Sequence, residues 1–188
     1  MDITKTYSAI ITTNRGDMTV DLYPKNAPNT VGNFITLANK KFYSNLKFHR
    51  YIPGMLLQGG SPNTLNSDPN DDKFGGPGYT IPDEVNWDSL DFPVSLRKEL
   101  TGLGYTSASV IKSREIGQYD VVMATNGPNT GGSQFVIILA NANDPRVLKM
   151  RGKFTVFGHV TSGYAVLEGI KTLGIENFVV KSITITAK

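Results

Sequence analysis

Cysteine is absent from this sequence of 188 residues, and histidine and tryptophan are rare. Without cysteine the chain has no disulfides, no thiolate metal sites and no cysteine nucleophile. The two histidines, His49 and His159, lie far apart, and neither has a metal-ligating neighbour at motif spacing. We therefore expect neither a metal ion nor a cofactor.

The chain also lacks any apolar run near the ~20 residues that span a bilayer. Residues 1–17 have no basic start, no apolar core of signal length and no small-residue cleavage site. We therefore expect a cytoplasmic protein without a membrane anchor.

The charge of the chain is small and evenly spread. The net charge is +3, and the lysines and arginines are scattered, which argues against nucleic-acid binding. With 39% hydrophobic and 19% charged residues, the composition is typical of a globular protein. The length suits one core, so residues 1–188 are expected to form a single domain. Nothing in the sequence indicates an oligomer, and a monomer is expected.

The first 43 residues predict a hairpin followed by a helix. Residues 7–13 and 16–23 alternate in polarity on either side of Asn-Arg-Gly, which is a hairpin turn signal. Residues 25–43 change to helical spacing, with Asn29 or Thr30 available as N-cap and Lys40 and Lys41 in the last turn. The apolar positions of this helix are Val31, Phe34, Ile35, Leu37 and Ala38.

Short strands return in the second half of the chain. The predicted strands cover residues 121–125, 133–140, 154–160 and 179–186, with a second helix at 164–174. Residues 84–120 are harder to read: 95–105 fits a short helix, and 109–117 fits a strand or an exposed arm. Many short strands with two isolated helices predict an all-β protein, either a closed barrel or a sandwich, capped by helices.

Residues 48–60, FHRYIPGMLLQGG, place Arg50 and Gln58 in an apolar stretch that contains no acidic residue. One interpretation of Arg50 is a salt-bridged arginine on the outside of a strand. The other is that Arg50 and Gln58 face a bound peptide. An arginine could then donate to a prolyl nitrogen, which becomes basic when its peptide bond is twisted.

Four stretches in register resemble the cyclophilin family of peptidyl-prolyl cis-trans isomerases. They are FHRYIPGMLLQGG, FGGPGYTIPDE, MATNGPNTGGSQFVI and GKFTVFGHV, and the resemblance covers residues 8 to 186. It implies a closed eight-stranded antiparallel β-barrel with an α-helix at each end and a peptide groove on its outer face. It also implies cofactor-independent isomerisation of X-Pro bonds in peptides and protein clients.

The resemblance assigns roles to residues of this chain. Arg50 and Gln58 would be catalytic, and the substrate-binding residues would be Met55, Leu56, Ala124, Thr125, Gln134, Val136 and Phe154. Met55, Leu56 and Val136 replace residues that are more often phenylalanine, methionine and phenylalanine in the family, so the proline slot would be aliphatic. The alternative is that the apolar residues are core, and that Gln58 and Gln134 satisfy local backbone groups.

Three functions remain open from the sequence. The first is an active isomerase. The second is a proline-peptide binding module with little turnover, which the loss of aromatic walls would favour. The third is a scaffold whose working surface is the insertion at about residues 84–120, a segment that resembles an insertion in some bacterial cyclophilins.

Weak binding of the drug cyclosporin is the first testable prediction. The family commonly has a drug-contacting tryptophan shortly before the glycine-lysine pair, where this chain has Val147, Leu148, Lys149 and Met150. The one tryptophan, Trp87, lies in a different loop. A titration of cyclosporin against isomerase activity checks the prediction, and nanomolar inhibition would contradict it.

Overall fold

A computed structural model describes residues 1–188, which form eight strands and four α-helices. The strands are β1 (Tyr7–Thr13), β2 (Gly16–Leu22), β3 (Arg50–Ile52), β4 (Leu56–Gly59), β5 (Asp120–Met123), β6 (Phe135–Ile138), β7 (Val156–Ser162) and β8 (Val180–Ala187). The helices are α1 (Pro28–Asn39), α2 (Val94–Gly102), α3 (Pro145–Leu148) and α4 (Tyr164–Leu173). Short 3-10 helices cover Pro62–Leu65 and Asp72–Phe74.

The helix count differs from the two helices expected. Helices α1 and α4 are the expected pair, and α2 forms within the stretch for which a short helix was one option. Helix α3 is a single turn, too short to produce a helical period in the sequence. None of the helices is both long enough and apolar enough to cross a membrane.

All eight strands belong to one antiparallel sheet, in the order β3-β4-β6-β5-β7-β2-β1-β8. The sheet is curled but open, so the expectation of a closed barrel was wrong. Strands β3 and β8 form no ladder with each other. Instead, residues 45–48, which precede β3, reach residues 178–180 through a few backbone bonds, such as Asn45 N to Val180 O at 2.7 Å. The chain then turns away to pair β3 with β4, which leaves the two edges apart.

The main core lies between the concave face of the sheet and helices α1 and α4. Alternate residues of the first hairpin point into it, as the polarity pattern predicted, and so do the apolar positions of α1. Aromatic rings fill the centre of this core: Phe34, Tyr43, Phe48, Phe135, Phe157 and Phe178. Burial of this apolar surface is the main favourable term in folding.

The N-terminus of α1 is capped by a residue from a distant part of the chain. The helix begins at Pro28, and neither Asn29 nor Thr30 acts as N-cap. The buried Glu84 carboxylate accepts the backbone N–H groups of Asn29 at 2.9 Å and Thr30 at 2.8 Å, and both side chains as well. A carboxylate at this position satisfies unpaired helix donors and interacts favourably with the helix dipole.

The insertion at 84–120 has a small apolar cluster of its own. The buried residues Val85, Trp87, Phe92 and Leu100 form it, and Leu96 packs at its edge. Residues 109–117 form no strand and run as an arm, in which Val110 is 94% exposed. The insertion is therefore packed at its base, and its arm is open to solvent around Val110 and buried again at Ile116.

Replacing Glu84 with alanine is expected to destabilise the protein by about 2–3 kcal/mol, because α1 would lose its cap and buried donors would be left unpaired. Urea unfolding at neutral pH measures the change. The exposed Glu176 offers a matched control, and Glu176→Ala should change stability by less than about 0.5 kcal/mol. Equal effects of the two substitutions would contradict the role assigned to Glu84.

Candidate active site

Arg50, Gln58 and Gln134 form a hydrogen-bonded series on the face of the sheet that points away from the main core, here called the polar series. Register places Arg50 opposite Gln58 and Gln58 opposite Val136. Arg50 Nη1 donates to Gln58 Oε1 at 3.2 Å, and Gln58 Nε2 donates to Gln134 Oε1 at 2.8 Å. Adjacent strands thus bring together side chains that are distant in sequence.

The buried end of the polar series is fixed by backbone carbonyls. Gln134 Nε2 donates to Lys73 O at 3.0 Å and to Gly75 O at 2.8 Å, which uses both of its N–H groups. Its Oε1 must then accept, and this fixes the orientation of the Gln58 amide in turn. Gln134 therefore satisfies local backbone groups, whereas Gln58 keeps one free N–H.

Arg50 is not a salt-bridged strand arginine, because none of the ion pairs in the structure includes it. Its side chain is exposed at the edge strand β3, and Gln58 Oε1 is its hydrogen-bond partner. The guanidinium therefore keeps N–H groups for another acceptor.

The polar series borders a groove of about 630 Å³. Every residue that the sequence assigned to the site lines this groove: Arg50, Met55, Leu56, Gln58, Ala124, Thr125, Gln134, Val136 and Phe154. Residues that sequence reasoning did not assign to the site also line it, among them Lys73, Phe74, Tyr79, Asn126, Thr130 and Met150. A groove of this volume can hold a small ligand or a short peptide.

One end of the groove is an apolar slot, formed by Met55, Leu56, Val136, Met150 and Phe154. A second apolar cluster lies beneath it, with Val122, Ile138, Val147 and Val156. Both interpretations of the apolar residues, as core and as substrate-binding residues, thus hold for Leu56, Val136 and Met150. These three are buried in a cluster and also line the groove. The feature of the sequence that could have indicated Met150 as a groove residue is its position as an apolar residue between two cations.

The other end of the groove lies between two loops that Asn33 of α1 joins. Asn33 accepts a hydrogen bond from the Tyr79 hydroxyl at 2.6 Å and donates to Gly132 O at 2.7 Å. Nothing in the sequence near Asn33 indicates this contact, because both partners lie on other segments of the chain.

Ala124 and Thr125 present backbone rather than side-chain groups. The Ala124 carbonyl and the Thr125 N–H make no hydrogen bond within the protein. The Thr125 hydroxyl is already bonded, to Gly127 O and to Thr130. An extended peptide could therefore pair with this short segment of main chain.

His49 lies next to Arg50 on the chain, and both of its ring nitrogens are buried without a hydrogen-bond partner. Burial lowers the pKa of the His49 imidazole from its usual 6.5, since the charged form loses hydration. The negative charge of Asp72, the nearby Lys47 backbone and the Gln134 side chain oppose this shift in pKa, whereas Arg50 adds to it. His49 is therefore neutral at pH 7.

The groove contains two cations and no carboxylate. Arg50 and Lys73 line it, whereas no aspartate or glutamate does. Nowhere in the chain do three potential metal-ligating side chains converge. The site thus offers a guanidinium, side-chain amides, free main-chain groups and an apolar slot.

A family model described as "Cyclophilin type peptidyl-prolyl cis-trans isomerase/CLD" matches residues 8–188. The chain belongs to the cyclophilin family. It is accordingly a peptidyl-prolyl cis-trans isomerase, as the four motifs indicated.

Two bacterial relatives illustrate how much of this cyclophilin is shared. It is 34% identical over 172 residues to a peptidyl-prolyl cis-trans isomerase of Helicobacter pylori, covering 90% of this chain and 83% of the relative. It is 40% identical over 143 residues to peptidyl-prolyl cis-trans isomerase B of Bacillus subtilis, covering 76% of this chain and 75% of the relative.

The cyclophilin fold is also found by comparison with solved structures. A crystal structure of a cyclophilin-type isomerase from Cryptosporidium parvum matches with a TM-score of 0.71 and 24% identity, over 97% of this chain and 99% of that one. A second crystal structure of the C. parvum protein was determined in the presence of the dipeptide Ala-Pro, and its TM-score is 0.70. At this identity the likeness concerns the fold.

The buried imidazole of His49 predicts a loss of stability in acid. Its pKa is lowered in the folded state, so the unfolded chain binds more protons once the pH falls below about 6.5, and stability declines there. Urea unfolding at pH 7 and pH 5 measures the difference in the free energy of unfolding. In His49→Phe this difference should be smaller than in the wild type, and an unchanged difference would contradict the assignment.

Proposed function

We propose that this cyclophilin accelerates X-Pro rotation through a hydrogen bond from Arg50 to the prolyl nitrogen, which forms in the transition state. The main support for this proposal is that the Arg50 guanidinium lines the same groove as the apolar slot, has no carboxylate partner and keeps free N–H groups. A positive charge without a counterion beside an apolar surface is suited to a ligand that supplies an acceptor.

The chemistry requires a donor more than it requires an acid or a base. In a planar X-Pro bond the nitrogen lone pair is delocalised, and the barrier to rotation is ~18–20 kcal/mol. At the twisted transition state the lone pair is localised on nitrogen and accepts a hydrogen bond. A donor at that position stabilises the transition state more than the ground state, and such differential binding raises the rate.

Arginine suits this role because it remains charged at any working pH and holds its N–H groups in a rigid plane. A charge-assisted hydrogen bond contributes ~1.5–3 kcal/mol, and each ~1.4 kcal/mol is a factor of ten in rate. Arg50 alone would therefore account for one or two orders of magnitude. The remainder would come from the way the groove holds the peptide.

The polar series would orient the catalytic guanidinium. Gln58 holds Arg50, and Gln134 holds Gln58 with its own amide committed to two loop carbonyls. Donors that are held in place before reaction need little reorganisation in the transition state. Gln58 also keeps a free N–H that can reach a substrate carbonyl, whereas Gln134 acts through Gln58.

The slot and the free main-chain groups would position the substrate. The proline ring would enter the apolar slot, where each buried CH₂ contributes ~0.8 kcal/mol. The Ala124 carbonyl and the Thr125 N–H would pair with the residue before proline. A peptide in this position would cover Arg50 and exclude water, which strengthens the hydrogen bond of the guanidinium.

Arg50→Ala is expected to lower isomerase activity at least tenfold without loss of fold. Exchange NMR on an Ala-Ala-Pro-Phe peptide, with catalytic amounts of protein, measures the rate. Arg114→Ala is the matched control, because Arg114 is exposed, lies outside the groove and forms no ion pair; it should retain activity. A wild type that binds the peptide without accelerating exchange would overturn the proposal in favour of a binding module. Full activity in Arg50→Ala would remove Arg50 from the mechanism.

A further inference from the structure

The insertion packs against the loop that carries one wall of the apolar slot. Met150 and Phe154 form that wall, and residues 151–153 connect them. We propose that the insertion sets the width of the slot, and that Trp87 is the positioning residue through which it does so. This inference rests on the proposed function, since it takes the slot to be the site of the proline ring.

Trp87 makes a buried hydrogen bond to the middle of the wall loop. Its side chain is 4% exposed, and Nε1 donates to Gly152 O at 3.1 Å. Gly152 has a φ of +76°, a conformation that side chains other than glycine rarely adopt. The indole N–H of Trp87 therefore binds the carbonyl of the one residue in this loop with a positive φ.

The apolar cluster of the insertion occupies the space directly beside Gly152. A Cβ atom at this glycine would lie 2.5 Å from Leu100 Cδ1 and 2.9 Å from Phe92 Cε2. The wall loop is thus pressed against the insertion with no room for even a methyl group. A displacement of Leu100 or Phe92 toward Gly152 has to be transmitted to the loop, because close-packed atoms cannot absorb it.

Two further contacts fix the wall loop on either side of Gly152. Arg151 forms an ion pair with Glu115 of the insertion, and its guanidinium lies over the Phe92 ring, 5.0 Å from the centroid. On the other side, the Glu84 N–H donates to Thr155 Oγ1 at 2.8 Å. The loop between Met150 and Thr155 is therefore held by the insertion at three points.

The residue that precedes the insertion is bonded to another loop of the groove. This residue, Asp83, and Asn129 exchange two hydrogen bonds, at 2.9 and 2.8 Å. Asn129 belongs to the loop that carries the groove residues Asn126 and Thr130. The start of the insertion is thus tied to this second groove loop and Trp87 to the wall loop, an arrangement that can fix the distance between the two loops.

The test compares two substrates that differ in ring size. Ala-Ala-Pro-Phe and its analogue with pipecolic acid, which has a six-membered ring, are assayed by exchange NMR on the same sample. Trp87→Phe removes the N–H donor and keeps an aromatic ring in the cluster. We expect the ratio of kcat/KM for proline over pipecolic acid to fall at least threefold, since a released wall admits the larger ring more easily.

The control is Leu96→Ala, which loosens the same cluster without removing the bond to Gly152. It should lower the Tm and leave the ratio unchanged. The fraction of folded enzyme cancels in the ratio, so reduced stability alone cannot produce the expected change. An unchanged ratio in Trp87→Phe, with a fall in Tm like that of the control, would overturn the inference and leave Trp87 a purely structural residue.

The ratio of the dissociation constants of Ala-Pro and of its pipecolic analogue, measured by NMR titration, tests discrimination by the slot in the ground state, without turnover. A wild type that binds both dipeptides but catalyses no exchange would end the proposed function while still testing Trp87. A wild type that binds neither would show that the slot is not a proline site, and both proposals would fall.

Discussion

The buried carboxylate of Glu84 is the interaction on which the arrangement of the site depends. It caps the N-terminus of α1, and the backbone N–H of Glu84 donates to Thr155 at the end of the slot wall. Burying a charged group is costly unless hydrogen bonds compensate it. Glu84 receives four hydrogen bonds, so the cost is offset and the geometry is well defined. Through these hydrogen bonds, one residue connects the helix, the base of the insertion and the wall of the groove.

The site itself combines an exposed charge with a buried means of orienting it. Arg50 lies in water on an edge strand, where a free side chain would adopt many rotamers. The polar series restricts it through two amides, the second of which is fixed by main-chain carbonyls. Because the Gln134 amide at the buried end uses both of its N–H groups and its oxygen, the series is ordered without a carboxylate.

The sequence predicted the elements that depend on local patterns. The first hairpin, α1, α4 and the strands of the second half follow from polarity that alternates or recurs with helical spacing. The nine groove residues assigned from the sequence were found because they lie in a few continuous motifs. The cap of α1 could not be found in this way, since Glu84 is 54 residues from Thr30. The open edge between β3 and β8 was missed for a similar reason: strand patterns do not specify which ends meet. The contact between Trp87 and Gly152 likewise depends on packing between distant segments, which are 65 residues apart in the sequence.

The few bonds between residues 45–48 and 178–180 have a consequence for the order of folding. They attach the segment before β3 to the start of the last strand of the sheet. Contacts between segments so distant in sequence form slowly, because the entropy of closing a long loop opposes them. During synthesis, the segment before β3 therefore lacks these bonds until the start of β8 has emerged, although β3 can already pair with β4. The edge of the groove that carries Arg50 would therefore be among the last parts of the fold to become fixed in place.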